Sequence, residues 1–140
     1  MNKYAEKAIM LHKGGYNCAQ SVLCAFSDKL DVDEKVLFKI SEGFGLGMGG
    51  MESTCGSISG AIMLAGLMNS SGSIKNITKG KTHTFSREII RSFREKNGSI
   101  ICNELKGIKT GEVLRSCSGC IEDSVEIVCD IFFSESCVLK

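Results

Sequence analysis

The chain has 140 residues, of which 43% are hydrophobic, and its 17 basic and 16 acidic side chains leave a formal net charge of +1. That length predicts a single domain over residues 1–140 with enough apolar side chains for its own core. Because the charges nearly balance, we predict no nucleic-acid partner, which would need a basic surface. The longest apolar segment, Ile58 to Met68, is too short to cross a bilayer, so we also predict no membrane partner.

Eight cysteines are the unusual feature of this composition. The first residues, Met1 to Lys7, lack the apolar stretch of a secretory signal, so we expect a cytoplasmic protein. Structural disulfides are rare in that compartment, and eight cysteines there predict metal ligation or redox chemistry. The chain has only two histidines, which excludes a histidine-rich metal site.

Hydrophobic spacing along the chain predicts an all-α fold, a compact bundle of five or six helices. The third helix should bury Val36, Leu37 and Ile40. The fourth is apolar or small on all sides, so we expect it to be the most buried helix. The predicted helices cover roughly residues 2–13, 17 onward, 33–42, 53–68, 82–96 and 117 onward.

A glycine-rich loop over residues 43–50 joins the third and fourth predicted helices. Residues 45–50 formally fit the G-x-G-x-x-G motif, but neither the preceding strand nor the βαβ unit of a dinucleotide site is evident. We expect this loop instead to wrap closely around a cofactor or another backbone segment.

Five cysteines lie in or near the first turn of a predicted helix, beside a capping residue: Cys18, Cys55, Cys102, Cys117 and Cys120. The partial positive charge of a helix N-terminus lowers the pKa of a nearby thiol and stabilises the thiolate. We predict that the first four share one pocket near the glycine-rich loop. Cys120 is a spare that can replace Cys117 or pair with it. The alternative is that each cysteine is a small core hydrophobe.

The other three cysteines are predicted on polar helix faces: Cys24, Cys129 and Cys137. Phe133 also projects to the polar side of the last helix. Such residues are either scattered on the surface or part of a subunit interface, and from them we predict a homodimer that uses part of the last helix. His12 and His83 are expected to be incidental surface residues.

The order of several motifs resembles the redox-active family named for its cysteine pattern, C_GCAxxG_C_C. The segments that carry the resemblance are Tyr16 to Gln20, Gly43 to Gly45, Cys55 to Ala61, and then Cys102 and Cys117. The resemblance covers about Tyr4 to Ile131. The family is similar to the iron–sulfur part of split-Soret cytochrome c, a helical module, although the haem-attachment motifs are absent from this chain.

The resemblance implies an iron–sulfur or redox-thiol protein. Its four characteristic cysteines fall on Cys18, Cys55, Cys102 and Cys117, and Cys120 is an additional candidate for the fourth metal ligand. Ser57 stands where the family's Cys-Gly-Ala-x-x-Gly segment has alanine, a change we expect to be neutral. We expect four glycines to approach the cofactor: Gly45, Gly47, Gly49 and Gly56.

Three functions remain open at this stage. The first is a cysteine-ligated iron–sulfur protein, with [2Fe–2S] as the expected cluster, that carries or senses electrons for an unknown redox partner. The second is a metal-free thiol–disulfide redox protein that uses Cys117 with Cys120 or another pair from the helix starts. The third is a non-redox module with structural zinc or with cysteines used only as core residues.

Overall fold

The computed structural model describes residues 2–137 and forms seven α-helices there, joined by loops and short irregular turns. Thr54 and Ile101 form one isolated antiparallel bridge, and no strand occurs within residues 2–137, so the all-α prediction is confirmed. The number of helices in this range exceeds the predicted five or six, because residues near Leu105, expected as a turn, form a short helix. The helices are α1 Lys3–Lys13, α2 Cys18–Ala25, α3 Glu34–Glu42, α4 Gly56–Asn69, α5 Lys79–Asn97, α6 Cys102–Lys106 and α7 Cys117–Val128.

The core is built around α2 and the first half of α4. Every residue of α2 after Cys18 is buried, because α1, α3, α4 and α7 all pack against this short helix. In α4 the buried residues lie between Gly56 and Ala65, whereas Leu67 and Met68 are exposed near its C-terminal end. α2 is therefore more completely buried than α4, which was expected to be the most buried helix, because the last turn of α4 is exposed at Leu67 and Met68.

Two predictions about buried positions on the peripheral helices are also wrong. On α3 only Leu37 of the expected apolar set is buried, while Val36 and Ile40 are exposed, because the helix uses a narrow face to pack against α2. Cys24 was expected on a polar face of α2 but is fully buried. The enclosure of α2 on several sides leaves that helix no solvent-facing side at this position.

The C-terminal segment closes back onto the core. Cys129 and Cys137 were expected on a polar face, but both are buried and they form a disulfide. The ring of Phe133 stacks on that of Phe26, with 5.3 Å between the centroids. These residues therefore have partners within the chain, which removes the observation that motivated the homodimer. The oligomeric state itself stays a prediction.

None of the helices formed by residues 2–137 combines the length and the apolar character needed to cross a membrane.

Candidate thiol redox site

All five of the cysteines at helix starts line one cavity of about 130 Å³. Cys18 begins α2, Cys55 immediately precedes α4, Cys102 begins α6, and Cys117 begins α7 with Cys120 one turn later. Cys18 and Cys117 are partly exposed, whereas the other three thiols are buried. The cavity therefore has two thiols accessible from solvent and three enclosed ones.

The isolated bridge holds two of these helix starts side by side. The Cys55 amide donates to the carbonyl of Ile100 at 2.8 Å, and the Cys102 amide donates to the carbonyl of Ser53 at 2.9 Å. These two hydrogen bonds flank the Thr54–Ile101 pair. The segments that lead into α4 and α6 are thus held together, although the two cysteines are 47 positions apart along the chain.

The start of α2 is fixed by a capping box. The Asn17 side chain accepts a hydrogen bond from the Gln20 amide, and the Gln20 side chain accepts one from the Asn17 amide. Asn17 also donates through Nδ2 to the Glu42 carbonyl at 2.9 Å, and a Cβ on Gly45 would lie only 2.3 Å from the Asn17 side chain. The end of α3 and the following loop therefore hold the position of Cys18.

Cys18 and Cys117 form the outer pair of the site. Their side chains hydrogen-bond to each other, and this bond is the main cause that lowers the pKa of Cys117 to about 5. Burial opposes that shift, while Lys106 reinforces it. The same bond, followed by burial, raises the pKa of Cys18 well above its ordinary value. At neutral pH the outer pair consequently holds one thiolate, Cys117, and one thiol, Cys18.

Cys55 and Cys120 form the inner pair. The hydrogen bond from Cys120 is the main cause that lowers the pKa of Cys55 to about 6, with burial opposing it. The Ser57 hydroxyl and the backbone amides at the start of α4 lower the pKa of Cys55 further. Their hydrogen bond, together with burial, raises the pKa of Cys120 strongly. The inner pair therefore repeats the thiolate–thiol arrangement of the outer pair.

The partner of Cys120 differs from the one expected. The sequence left open a pairing of Cys117 with Cys120, but the structure pairs Cys120 with Cys55 and Cys117 with Cys18. Cys102 lines the same cavity, and burial is the main cause that raises its pKa. Among the described residues, no three side chains of His, Cys, Asp or Glu come close enough together to hold a single metal ion.

Three basic side chains line the cavity with the thiols: His12, Lys106 and Arg115. Nε2 of His12 lies 3.9 Å from the sulfur of Cys18, so the expectation of an incidental surface histidine is wrong. Burial is the largest single effect on Lys106 and lowers its pKa, but the charge of Cys117, its hydrogen bond to Lys106 and the charges of Cys102 and Cys18 together raise that pKa. The positive charges of Lys106 and Arg115 stabilise negative charge on the sulfurs.

The sequence spacing alone could have indicated that one of these basic side chains, Lys106, lies near a cavity thiol. Lys106 lies four residues after Cys102 in α6, a spacing that places two side chains on the same helix face. Arg115 precedes Cys117 by two residues, and its guanidinium is held by Asp123, with Nε 3.1 Å from Oδ2. His12 reaches Cys18 across the turn that contains Gly14, which only the packing of α1 on α2 brings about.

The four glycines proposed for cofactor binding have different surroundings. Gly47 and Gly56 line the cavity, and a Cβ on Gly47 would lie 2.5 Å from the Cβ of Cys102. Gly45 packs against Asn17 instead, and a Cβ on Gly49 would have no atom within 4 Å. Leu46, which the sequence did not single out, lines the cavity with a positive φ of 55°. The role of these glycines toward a cofactor stays a prediction.

Comparison with known protein families matches most of the chain to one family. Residues 16–131 match the family described as "Putative redox-active protein (C_GCAxxG_C_C)". The chain belongs to this family. The match contains all five cavity cysteines of this C_GCAxxG_C_C protein, whereas Cys137 lies beyond it. A search of curated proteins and a search of solved structures each returned no match.

Proposed function

We propose that this protein is a thiol–disulfide redox protein that works through the outer pair, Cys18 and Cys117, and the inner pair, Cys55 and Cys120. The observation that carries the proposal is that these four thiols line one cavity together with Lys106 and Arg115, where the pKa values of Cys117 and Cys55 are lowered. A thiolate is the nucleophile in disulfide exchange, and a neighbouring thiol resolves the mixed disulfide. Membership in a redox-active family supports the same class of chemistry.

The outer pair is the entry point, because Cys18 and Cys117 are the two partly exposed residues among the cavity cysteines. With a partner disulfide as the oxidant, the Cys117 thiolate attacks one partner sulfur and the other partner sulfur leaves as a thiolate. Cys18 then passes its proton to the partner thiolate just released and attacks the Cys117 sulfur, which releases the second partner sulfur as a thiolate. A Cys18–Cys117 disulfide forms, the partner disulfide is broken, and two electrons pass to the partner.

A [2Fe–2S] cluster is the second candidate, and the chemistry of the donor set favours it. Four cysteine thiolates ligate such a cluster, and two pairs of thiols offer two sulfurs for each iron. The ligands would come from the five cavity cysteines, with Cys102 and Cys120 as alternatives, and Lys106 and Arg115 would offset the negative charge. When bound, the cluster would supply one-electron transfer. A single tetrahedral zinc ion is not supported, since no three donors gather at one point in residues 2–137.

Anaerobic purification followed by iron and sulfide analysis separates the two candidates. The dithiol proposal predicts a colourless protein without stoichiometric iron, whose cavity cysteines lose free thiols on oxidation and regain them on reduction. Peptide mapping should find Cys18 linked to Cys117 and Cys55 linked to Cys120. A brown protein with equal amounts of iron and sulfide would instead favour the cluster. Cys24→Ser is the matched control, because Cys24 lies in the core and should alter neither result.

A further inference from the structure

A chain of buried hydroxyl groups ends on the sulfur of Cys55. The Ser124 hydroxyl on α7 donates to the Ser57 hydroxyl on α4, with 2.9 Å between the two oxygens. The Ser57 oxygen in turn lies 3.1 Å from the sulfur of Cys55. Both serines are fully buried and Cys55 is 6% exposed, so bulk water does not compete for these hydrogen bonds.

The direction of the chain follows from the protons available. A serine hydroxyl has one proton to donate and two lone pairs to accept. Ser57 accepts a hydrogen bond from the Ser124 hydroxyl. The hydroxyl proton of Ser57 is therefore free to form a hydrogen bond with the Cys55 sulfur. A sulfur that carries negative charge is the best acceptor within reach, and a hydrogen bond to a charged group is stronger than one between neutral groups.

We propose that Ser57 and Ser124 form a hydroxyl relay that sets the reduction potential of the inner pair, with Ser57 donating to the Cys55 sulfur and Ser124 acting as the positioning residue. This inference rests on the proposed dithiol function. The relay stabilises the reduced pair, because a thiolate accepts a hydrogen bond from Ser57 far better than a disulfide sulfur does. Stabilising the reduced form makes a disulfide more oxidising.

The outer pair offers an internal comparison. Its thiolate, Cys117, is stabilised by Cys18 and Lys106 rather than by a hydroxyl group. The two pairs therefore differ in the group that supports their thiolates, and loss of the relay should act on the inner pair alone. A relay of this kind sets the two pairs at different potentials, so that electrons move between them in one preferred direction.

The test compares both pairs in the same sample of the full chain. Wild type, Ser57→Ala and Ser124→Ala are equilibrated in a series of reduced and oxidised glutathione buffers, and free thiols are trapped by alkylation in acid. Peptide mass spectrometry then gives the fraction of each disulfide. Ser57→Ala should shift the Cys55–Cys120 equilibrium about tenfold toward the disulfide, which for a two-electron couple corresponds to about 30 mV. Ser124→Ala should shift it in the same direction by less, since Ser57 keeps its proton.

Ser59→Ala is the matched control, because it makes the same substitution at another buried position of α4 and should shift neither pair. An unchanged Cys55–Cys120 equilibrium in Ser57→Ala, in a chain whose wild type forms that disulfide reversibly, would overturn the relay alone. If Ser57→Ala fails to fold, the test rests on Ser124→Ala. A shift of the Cys55–Cys120 equilibrium alone in that variant supports the relay, and an unchanged equilibrium overturns it. A wild type that never forms the Cys55–Cys120 disulfide would overturn the proposed function, and the relay with it.

Discussion

Lys106 is the cation that acts most directly on the accessible thiolate. It hydrogen-bonds to Cys117 and lowers the pKa of that thiol by charge attraction, in addition to the larger effect of Cys18. The lowered pKa keeps Cys117 ionised at neutral pH, and a thiolate is the form that reacts with disulfides and alkylating agents. The reactivity of Cys117 should therefore report on Lys106.

We expect Lys106→Met to move the pH at which Cys117 alkylation is half-maximal upward by about 1 unit, because one nearby opposite charge is lost. In wild type that midpoint should lie near the pKa of about 5. The measurement is the rate of iodoacetamide labelling at Cys117, followed by peptide mass spectrometry across pH. Lys109→Met is the control, since Lys109 lines a different surface depression. Equal alkylation midpoints in wild type and Lys106→Met would contradict the claim that Lys106 lowers the pKa of Cys117.

Asp123 is a buried carboxylate that anchors the segment carrying Arg115. Its side chain is 1% exposed and forms ion pairs with Lys96 at 2.8 Å and with Arg115 at 3.1 Å. Burial opposes ionisation, but the hydrogen bonds from Lys96, Asn97 and Arg115 together lower the pKa of Asp123. A carboxyl group whose pKa is lower in the folded state stabilises that state above its ordinary pKa.

Asp123→Asn should reduce the free energy of unfolding by about 1.5–3 kcal/mol at pH 7, the range for a hydrogen bond to a charged group. The stabilisation is present in full above pH of about 4 and is lost as pH falls through the lower folded pKa, so the two proteins should converge in acid. Urea unfolding at several pH values measures both effects. Glu122→Gln, which removes a looser 3.9 Å pair with Arg115, should cost less than about 1 kcal/mol. If the difference in unfolding free energy between wild type and Asp123→Asn stayed constant down to acidic pH, this role of Asp123 would be contradicted.

At the scale of elements, the close approach of α2 and α4 brings Cys18 beside the start of α4. Gly60 makes this approach possible, because a Cβ there would lie 2.7 Å from the carbonyl oxygen of Ala19 and 3.1 Å from the Cβ of Val22. Neither contact can be relieved by a flexible side chain, since both involve atoms at or next to the backbone. The two helices would have to move apart to accommodate any larger residue.

Gly60→Ala should therefore lower the free energy of unfolding by about 1–3 kcal/mol, the usual cost of overpacking a core. Gly66→Ala provides the control on the same helix, because a Cβ there would meet no atom within 4 Å. That substitution should instead stabilise the protein by about 0.5–1 kcal/mol through the higher helix propensity of alanine. Chemical denaturation measures both, and opposite signs are expected. Stabilisation by Gly60→Ala would mean that α2 and α4 are not in such close contact.

At the scale of the whole molecule, the Cys129–Cys137 disulfide fastens the C-terminal segment over the N-terminal helices. Phe133, between the two cysteines in sequence, stacks near Tyr4 and Phe26, with ring centroids at 6.4 and 5.3 Å. A cross-link over a separation of eight residues restricts the unfolded chain and stabilises the folded one. This disulfide is distinct from the cavity pairs and serves the fold.

Cys137→Ser should lower the free energy of unfolding by about 2.5 kcal/mol through the entropy of closing that loop. Wild type in excess reductant should lose the same amount, whereas reductant should have no further effect on the stability of Cys137→Ser. Thermal unfolding with and without reductant makes the comparison. A wild type that is equally stable in both conditions would contradict a stabilising role for this disulfide. The outer-pair reactivity should be unchanged in the variant, since Cys137 is not among the residues that line the cavity.

The sequence alone determined the features that depend on local pattern. Apolar spacing predicted the all-α fold, and the helix starts predicted near Asn17 and near Cys117 agree with α2 and α7, which the structure caps with Asn17 and Ser116. The ordered cysteines also carried the resemblance to the family that the chain belongs to. These features are accessible because capping and periodicity involve residues within a few positions of one another.

Only the tertiary structure decided how the cysteines pair and what surrounds them. Cys120 meets Cys55 rather than Cys117, and Ser57, which the sequence treated as a neutral replacement for alanine, reaches Ser124 across 67 positions of the chain. The burial of Cys24 and the disulfide at Cys129 likewise depend on how many helices enclose each position. Helical spacing gives the face of a residue on its own helix, but a partner on another helix is set by the packing of the whole core.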